Sequence, residues 1–319
     1  MASLPDVLVT GSAGHLGCAL MFLLPSLGYT PIGVDILEAE TTTQVGSIAD
    51  PTLHKPHVDS HSKADFVDVN ITGTLNLLEE SRGAQGRILR LHVHHVRLRP
   101  RAEPQAGRAR RLDHRGRGAD PQEHLRRDQG GGRGPVPPRA GADGHARRGA
   151  AHEPFLPEAD DDADRRALVG DGDGGDENLK VLEMAYRRVD IADVVSACDC
   201  AMRKAQEIRW GKYVISAPPP FSNDPEILKR LDSGADEVYV ECVAGIKDAF
   251  EKKGWRFLPR LDRVYDSSKA IQELGWQPQY TIQNVVDRLL RGEEWRSDIT
   301  FKVGRKGYHA VSTGVYTVR

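Results

Sequence analysis

The chain has 319 residues and a formal net charge of −2 at neutral pH, so global charge gives no reason to expect nucleic acid or an anionic membrane as a partner. No apolar run reaches the roughly 20 residues of a membrane-spanning helix. Cys18, Cys198, Cys200 and Cys242 show no paired metal-ligand spacing and suit free thiols in a reducing compartment. The first apolar run begins near Val7, which leaves no room for a secretory signal, and the expected location is cytoplasmic.

In chain order, a strand is expected over residues 5–10, a helix over 15–27 and a second strand over 31–35. Between the first two lies Val9-Thr10-Gly11-Ser12-Ala13-Gly14-His15-Leu16-Gly17, a strand, a glycine turn and a helix start. Each glycine has a steric reason in a unit that grips a dinucleotide pyrophosphate. Gly11 makes the tight turn, Gly14 lets the backbone approach the phosphates, and Gly17 lets helix pack on strand. The helix N-terminus presents N–H groups and a positive dipole end to the anion. Asp35 closes Pro31-Ile32-Gly33-Val34, where an acidic side chain would meet the adenosine ribose hydroxyls and repel a 2′-phosphate, favouring NAD over NADP. A short strand includes Val45, with Ile48 just beyond it, and no strand is legible from residue 49 to 65. A helix is expected from about residue 62 to 78 on the near-3.6 spacing of Phe66, Val69, Ile71, Thr74, Leu75 and Leu78.

The texture then changes. Residues 87–153 hold 16 Arg, 10 Gly, 7 His and 6 Pro, with no Lys, Met or aromatic ring of Phe, Tyr or Trp. Such a segment cannot bury enough apolar surface to offset chain entropy and is expected to be irregular or disordered. Ordinary texture resumes near Phe155. From there helices are expected over 189–205 with Asp190 as cap, 225–231, 243–253, 267–274 stopped by Gly275, and 283–291. A strand is expected over 212–216.

Four ordered stretches resemble the NAD-dependent epimerase/dehydratase family, the extended short-chain dehydrogenases. The residues from Val9 to Gly17 resemble its Thr-Gly-x-x-Gly-x-x-Gly signature, and Asn70-Ile71-Thr72-Gly73-Thr74-Leu75-Asn76-Leu77-Leu78-Glu79 its fourth helix. Arg188-Val189-Asp190-Ile191-Ala192-Asp193-Val194-Val195 is similar to its Val-Asp-Asp-Val-Ala helix. Tyr265-Asp266-Ser267-Ser268-Lys269-Ala270, with Glu273-Leu274-Gly275-Trp276-Gln277-Pro278, resembles its C-terminal block. Together the matches cover residues 1–86 and 155–290.

The resemblance implies an α/β fold: a Rossmann-like doubly wound parallel sheet, here incomplete, with a smaller C-terminal substrate domain. The implied organisation is 1–86 for the first part of the NAD-binding domain, 87–154 for the aberrant segment, and 155–319 for the remaining Rossmann elements interleaved with the substrate domain. It implies NAD as cofactor, held by Gly11, Ser12, Gly14, His15, Leu16 and Gly17 at the pyrophosphate and by Asp35 at the ribose. Ser47 and Ile48 stand where the family flanks adenine, although Asp is commoner there than Ser47. It also implies hydride transfer to or from a sugar-like or other small hydroxy substrate, with a mid-chain Tyr-x-x-x-Lys moving the hydroxyl proton and a Ser or Thr polarising the same oxygen. A homodimer is compatible with it.

That catalytic set is missing. No Tyr lies between Tyr29 and Tyr186, and no Lys between Lys63 and Lys180. Tyr265 and Lys269 have the spacing but coincide with the C-terminal block, where Ser267 or Asp266 should cap a helix and Lys269 should lie on the surface. No catalytic residue is therefore assigned, and the chain is expected to be inactive or impaired. Out-of-frame reading of GC-rich coding sequence would produce such a composition. Shifted by one frame, residues 91–102 can encode Phe-Thr-Ser-Thr-Thr-Ser-Val-Phe-Gly-Arg-Ala, and residues 123–133 can encode Asn-Ile-Tyr-Gly-Val-Thr-Lys-Ala-Ala-Ala. A second lesion, a lost central strand, fits the abrupt junction before Thr52. Sequencing the transcript checks both.

Other features carry weaker expectations. His54, His57 and His61 could suggest a metal site, but Pro56 breaks the helix that would align them, and no metal is expected. The Arg-rich middle could bind nucleic acid electrostatically, yet it carries 7 acidic residues and no stacking ring, so none is expected. Cys198 and Cys200 point to diverging helix faces and suit packing. Asn70 is read as a loop brace. UDP-sugar epimerases commonly carry Arg two residues before the Tyr aligned with Tyr186; Met184 stands there, so a nucleotide-sugar substrate is not supported. Arg187 or Arg188 could meet an anionic group or form surface ion pairs. The alternatives to an enzyme are a non-catalytic dinucleotide-binding protein and a basic interaction protein acting through the Arg-rich segment.

Overall fold

A computed structural model of the chain describes residues 4–50, 72–77, 168–169, 173–208, 210–304 and 306. Asn70, the histidines at 54, 57 and 61, the start of the helix expected from residue 62, the segment 87–153 with its shifted-frame motifs, and the boundaries at 86 and 154 lie outside the described residues.

The N-terminal part is α/β. Strands β1 (Val7–Thr10), β2 (Pro31–Asp35) and β3 (Gln44–Val45) form a three-stranded parallel sheet in the order β1-β2-β3. Register places Val9 opposite Gly33 and Asp35 opposite Val45. Parallel neighbours require a crossover, and between β1 and β2 that crossover is helix α1 (His15–Leu23) followed by a 3-10 turn (Leu24–Leu27). The single helix expected over 15–27 is therefore two pieces. Pro25 cannot continue the α ladder, since it lacks an N–H and its ring clashes with the carbonyl four residues back. Of the helix expected over 62–78, residues 73–77 are helical, and the Asn76 side chain donates to the carbonyls of Ile48 and Ala49 at 3.1 and 3.3 Å.

The C-terminal part is helical: α2 (Asp173–Glu183), α3 (Ile191–Ile208), α4 (Pro225–Leu231), α5 (Ala235–Cys242), α6 (Ile246–Lys253), α7 (Ser268–Leu274), α8 (Ile282–Arg291) and α9 (Asp298–Val303). The largest core joins α2, α5, α6 and α8 around Leu182, Tyr239, Phe250 and Val286. A second joins α3 and α7 through Val194, Cys198, Leu274 and Trp276, with Leu16 and Leu20 of α1 against it. A third packs Cys18 and Ala19 of α1 on Ile191 and Val195 of α3 and on Ile299 and Val303 of α9. The glycine-turn helix thus rests on a platform made from the far end of the sequence.

Two expectations are overturned. Residues 212–216 are not a strand. Their apolar side chains Tyr213 and Ile215 pack on the second core instead, and the next amide, Ala217 N–H, donates to Arg188 O at 2.9 Å. β-branched composition suits a pleated surface but needs a ladder partner to become one. The helix expected over 243–253 begins at Ile246. Val243 is extended (φ −125°, ψ 108°) and Gly245 is left-handed at φ 73°, which ends α5 and restarts the chain as α6. Gly275 closes α7 at φ 68°, as expected of a glycine beyond a helix.

Two aspartates of the Arg188–Val195 stretch tie these layers together. Asp190, fully buried, caps α3 by accepting from Ala192 N–H at 2.8 Å. It also accepts from Ser297 N–H, Ser297 Oγ and Thr300 Oγ1 at 3.0, 2.5 and 3.2 Å, so one carboxylate secures the starts of both α3 and α9. Asp193 accepts from the backbone N–H of Gln279 and Tyr280, each at 2.8 Å, pinning the chain that follows Trp276. Burial pushes the Asp193 carboxyl up to about 6, against the two amides that pull it down. The folded state therefore holds this proton more tightly than the unfolded chain, whose carboxyl titrates near 3.9. That contribution is fully present below about pH 4 and is lost as pH rises through about 6. Asp193→Asn should flatten the fall in stability between pH 4 and 6 by about 2 kcal/mol, read from urea unfolding midpoints of the two proteins across that range.

Candidate functional site

The glycine turn lies where β1 ends, at the C-terminal edge of the sheet. Gly11 adopts φ 71°, a conformation that costs a side-chain-bearing residue roughly 1 kcal/mol or more. Its N–H donates to Val34 O at 2.8 Å, and Ser12 N–H donates to the same carbonyl at 3.3 Å, so the loop is sewn to the end of β2. Gly14 N–H donates back to Gly11 O at 3.0 Å, and Cys18 N–H to Gly14 O at 2.8 Å opens the α1 ladder. A Cβ built on Gly17 would stand 2.0 Å from Gly11 O and 2.7 Å from its carbonyl carbon, both backbone atoms with nowhere to go. One on Gly14 would meet the same oxygen at 3.1 Å. At Gly17 only glycine lets the helix start this close to the turn, and at Gly14 a side chain would be tight.

Helix geometry supplies no intrahelical acceptor for the N–H groups of the first turn. No acidic side chain stands in the first turn of α1 to compete for the positive dipole end. Ser12 and His15 are buried, and Leu16 is half-buried against the second and third cores. The start of α1 is therefore suited to a phosphate-bearing anion, held in place by a turn whose own amides bond within the protein.

Asp35 ends β2 beside this turn. Its Oδ2 accepts from Ala13 N–H and its Oδ1 from Leu37 N–H, both at 2.9 Å. The carboxylate expected at the ribose thus also holds the glycine turn. Ser47 and Ile48 follow β3. Ser47 is buried and its hydroxyl accepts from Ala49 N–H at 3.2 Å, while Ile48 is half-buried with its side chain against Gly73. The structure gathers Gly11, Ser12, Gly14, His15, Leu16, Gly17 and Asp35 at one place, with Ser47 and Ile48 just past the neighbouring strand.

Residues absent from the sequence expectations also touch the turn. Thr41 Oγ1 donates to Ser12 O at 2.7 Å, and Thr42 Oγ1 lies 3.2 Å from Ser12 Oγ. Nothing in their spacing marks these threonines; only the fold brings them to Ser12, 29 and 30 residues away in sequence.

The remaining candidates have structural surroundings. Tyr265 is 7 % exposed and its N–H donates to Tyr186 O at 2.8 Å. Lys269 lies on the surface, 4.9 Å from the Tyr213 ring centroid, and donates to Lys212 O. Asp266 Oδ1 accepts from Ser268 N–H at 2.8 Å, so Asp266 rather than Ser267 makes the side-chain bond at the start of α7. Met184 and Tyr186 are buried in the largest core. Arg187 and Arg188 do form ion pairs, but in the interior: both reach Glu183, and Arg188 and Glu183 are fully buried at their side chains. The surface location expected for them is corrected by Arg188, whose side chain has no exposed surface. All four cysteines are free, and burial pushes the Cys198 thiol up to about 12, which makes it a packing group and no nucleophile. Among the described residues no three His, Cys, Asp or Glu groups converge as a metal site. Among the same residues no helix is long and apolar enough to cross a membrane.

No protein-family model and no curated protein matches the chain. Solved structures do. One is a UDP-glucose 4-epimerase from Stenotrophomonas maltophila with bound NAD and formylated UDP-arabinopyranose: 17% identity, 90% of this chain and 97% of that chain covered, TM-score 0.41. Another is a short-chain dehydrogenase/reductase superfamily protein from Agrobacterium tumefaciens with bound NAD: 17% identity, 90% and 95% covered, TM-score 0.44. A third is a further UDP-glucose 4-epimerase: 15% identity, 95% and 99% covered, TM-score 0.41.

Proposed function

We propose that this chain is an NAD-binding member of the epimerase/dehydratase type of oxidoreductase whose catalytic step is lost or impaired. The observation that carries it is the glycine turn itself: a left-handed Gly11, a Gly17 with no room for a Cβ, and a helix start free of acidic side chains, all at the C-terminal edge of a parallel sheet. The cradle fits a diphosphate, and the carboxylate beside it fits a ribose. Backbone N–H groups of His15, Leu16 and Gly17, in the first turn of α1, would face the pyrophosphate beside Gly11, Ser12 and Gly14, with Asp35 at the ribose hydroxyls and Ser47 and Ile48 at the adenine. Asp35 still has acceptor capacity after its two amide bonds, since a carboxylate offers about four lone-pair sites. A bound nicotinamide would supply the capacity to take or return a hydride.

The chain's own part in proton movement is what is missing. General acid–base help is typically worth about 10²–10⁴-fold, and Tyr265 and Lys269 offer no replacement, one being buried and the other held on the surface by Tyr213 and Lys212. The substrate class we infer is a small sugar-like or other hydroxy compound. Met184, wholly buried, cannot take the place of a guanidinium at a nucleotide-sugar phosphate.

Calorimetric titration of the full chain with NAD, paired with a turnover assay on sugar and hydroxy-acid substrates, tests the proposal. The expected result is saturable NAD binding with turnover at least about 10²-fold below an intact acid–base enzyme. Absence of NAD binding overturns the cofactor assignment, and ordinary turnover overturns the impairment. Binding with no turnover at all favours the non-catalytic dinucleotide-binding alternative, which the retained turn and the missing Tyr-x-x-x-Lys jointly support.

A further inference from the structure

The loop between β2 and β3 runs back over the glycine turn and is fastened to it at every level. Thr41 is 5% exposed and donates its hydroxyl to Ser12 O at 2.7 Å; Ser12 is itself wholly buried. Thr42 Oγ1 lies 3.2 Å from Ser12 Oγ. Thr43 holds the other side to β2, its N–H donating to Gly33 O at 2.9 Å and its hydroxyl accepting from Gly33 N–H at 3.1 Å. Asp35, at the root of the loop, accepts from Ala13 N–H at 2.9 Å. The approach is close enough to demand a glycine in β2. A Cβ on Gly33 would stand 2.2 Å from Thr41 O and 2.8 Å from Ser12 Cβ.

We propose that residues 36–43 form a strap that sets the shape of the glycine turn before any ligand arrives, with Thr41 as its positioning residue. The cost of ordering a phosphate-binding loop on ligand capture is then already met in the free protein, which raises affinity. The Thr41 bond acts on the carbonyl of Ser12, whose peptide continues into Ala13 N–H, and that amide is fixed from the other side by Asp35. The Ser12–Ala13 peptide plane of the turn is therefore clamped at both of its polar atoms, by the strap on one side and the strand end on the other. The benefit to a dinucleotide rests on the cofactor assignment above; the clamping of the turn does not.

The test uses the full chain without ligand. Hydrogen exchange of the peptide containing residues 11–14 is compared in wild type, Thr41→Val, Thr41→Ser and Thr42→Ala. Valine keeps the shape and removes the donor; serine restores the donor. Thr41→Val should exchange at least about tenfold faster at these amides, with α3 and α8 unchanged, and Thr41→Ser should return to wild type. Thr42→Ala should give a smaller change of the same sign, and it keeps the test open if Thr41→Val fails to fold. Unchanged exchange at 11–14 in both Thr41→Val and Thr42→Ala overturns the strap, as does acceleration spread over the whole molecule. NAD titration of the same proteins should show weaker binding in Thr41→Val and recovery in Thr41→Ser. Failure of wild type to bind NAD overturns the cofactor assignment, while the exchange comparison still decides the strap.

Discussion

Gly17→Ala should abolish measurable NAD binding while leaving the C-terminal helices folded. The added Cβ lands 2.0 Å from Gly11 O, 2.7 Å from Gly11 C and 2.8 Å from Ser12 Cα, so relief requires backbone to move rather than a side chain to rotate. Two escapes exist. Helix α1 can lift from the turn, which pulls Leu16 and Leu20 from the second core and Cys18 and Ala19 from the third. Alternatively the turn can give way, which breaks the Gly11 and Ser12 amide bonds to Val34 O. The first costs apolar burial at about 25 cal/mol per Å². The second costs hydrogen bonds worth about 1 kcal/mol each. The turn is the cheaper to deform, and it is the binding element. Overpacking of this kind costs about 1–3 kcal/mol in stability, and displacement of converging amides by an ångström removes far more from an anion site than from the fold. Calorimetry with NAD and urea unfolding on the same protein separate the two. A variant that binds NAD like wild type would show that the turn does not hold the diphosphate.

The site was legible in sequence to the extent that its chemistry is local. Gly11, Gly14 and Gly17 are spaced by the geometry of one turn and one helix start, and Asp35 follows from the length of one crossover. The strap was not legible because its contacts join residues about 30 positions apart through a hydroxyl and a carbonyl, groups that every loop possesses. The same division runs through the fold. Helix α7 is legible because apolar spacing and a closing glycine agree at Leu274-Gly275. Helix α2 was missed because it buries charge: Lys180 and Glu183 occupy interior positions, Lys180 pairing with Asp176 at 2.6 Å, which erases the apolar period. Helix α9 was missed because its start is fixed from outside, by Asp190, 107 residues earlier. Residues 212–216 misled for the opposite reason, having strand-like side chains whose burial comes from α7 and Trp276 rather than from a sheet.

Glu183→Ala should be among the most destabilising single changes in the chain, by about 3–5 kcal/mol, a large part of the roughly 5–15 kcal/mol that holds a domain folded. Glu183 ends α2, and its carboxylate is shared: Oε1 accepts from Arg187 Nε at 2.7 Å and Oε2 from Arg188 Nε at 2.8 Å. Its backbone carbonyl accepts from the N–H of Tyr186, Arg187 and Arg188 as well, so the side chain and main chain of one residue shape the turn that leads into α3. Removing the carboxylate takes away the charge that both guanidiniums face, one of them with no exposed side-chain surface. An ion pair in the interior gains little over apolar residues of equal volume, but a charge left behind there costs several kcal/mol. That asymmetry gives the measurement its control. In urea unfolding, Glu183→Ala should lower the midpoint sharply. The triple change Glu183→Leu, Arg187→Met, Arg188→Met should recover most of the loss, because it removes the charges together. The residues that hold the glycine turn, Val34, Asp35 and Thr41, are none of this cluster, so NAD affinity should survive in whatever fraction of Glu183→Ala remains folded. A triple variant no more stable than Glu183→Ala would place the cost in packing rather than in the lost ion pairs.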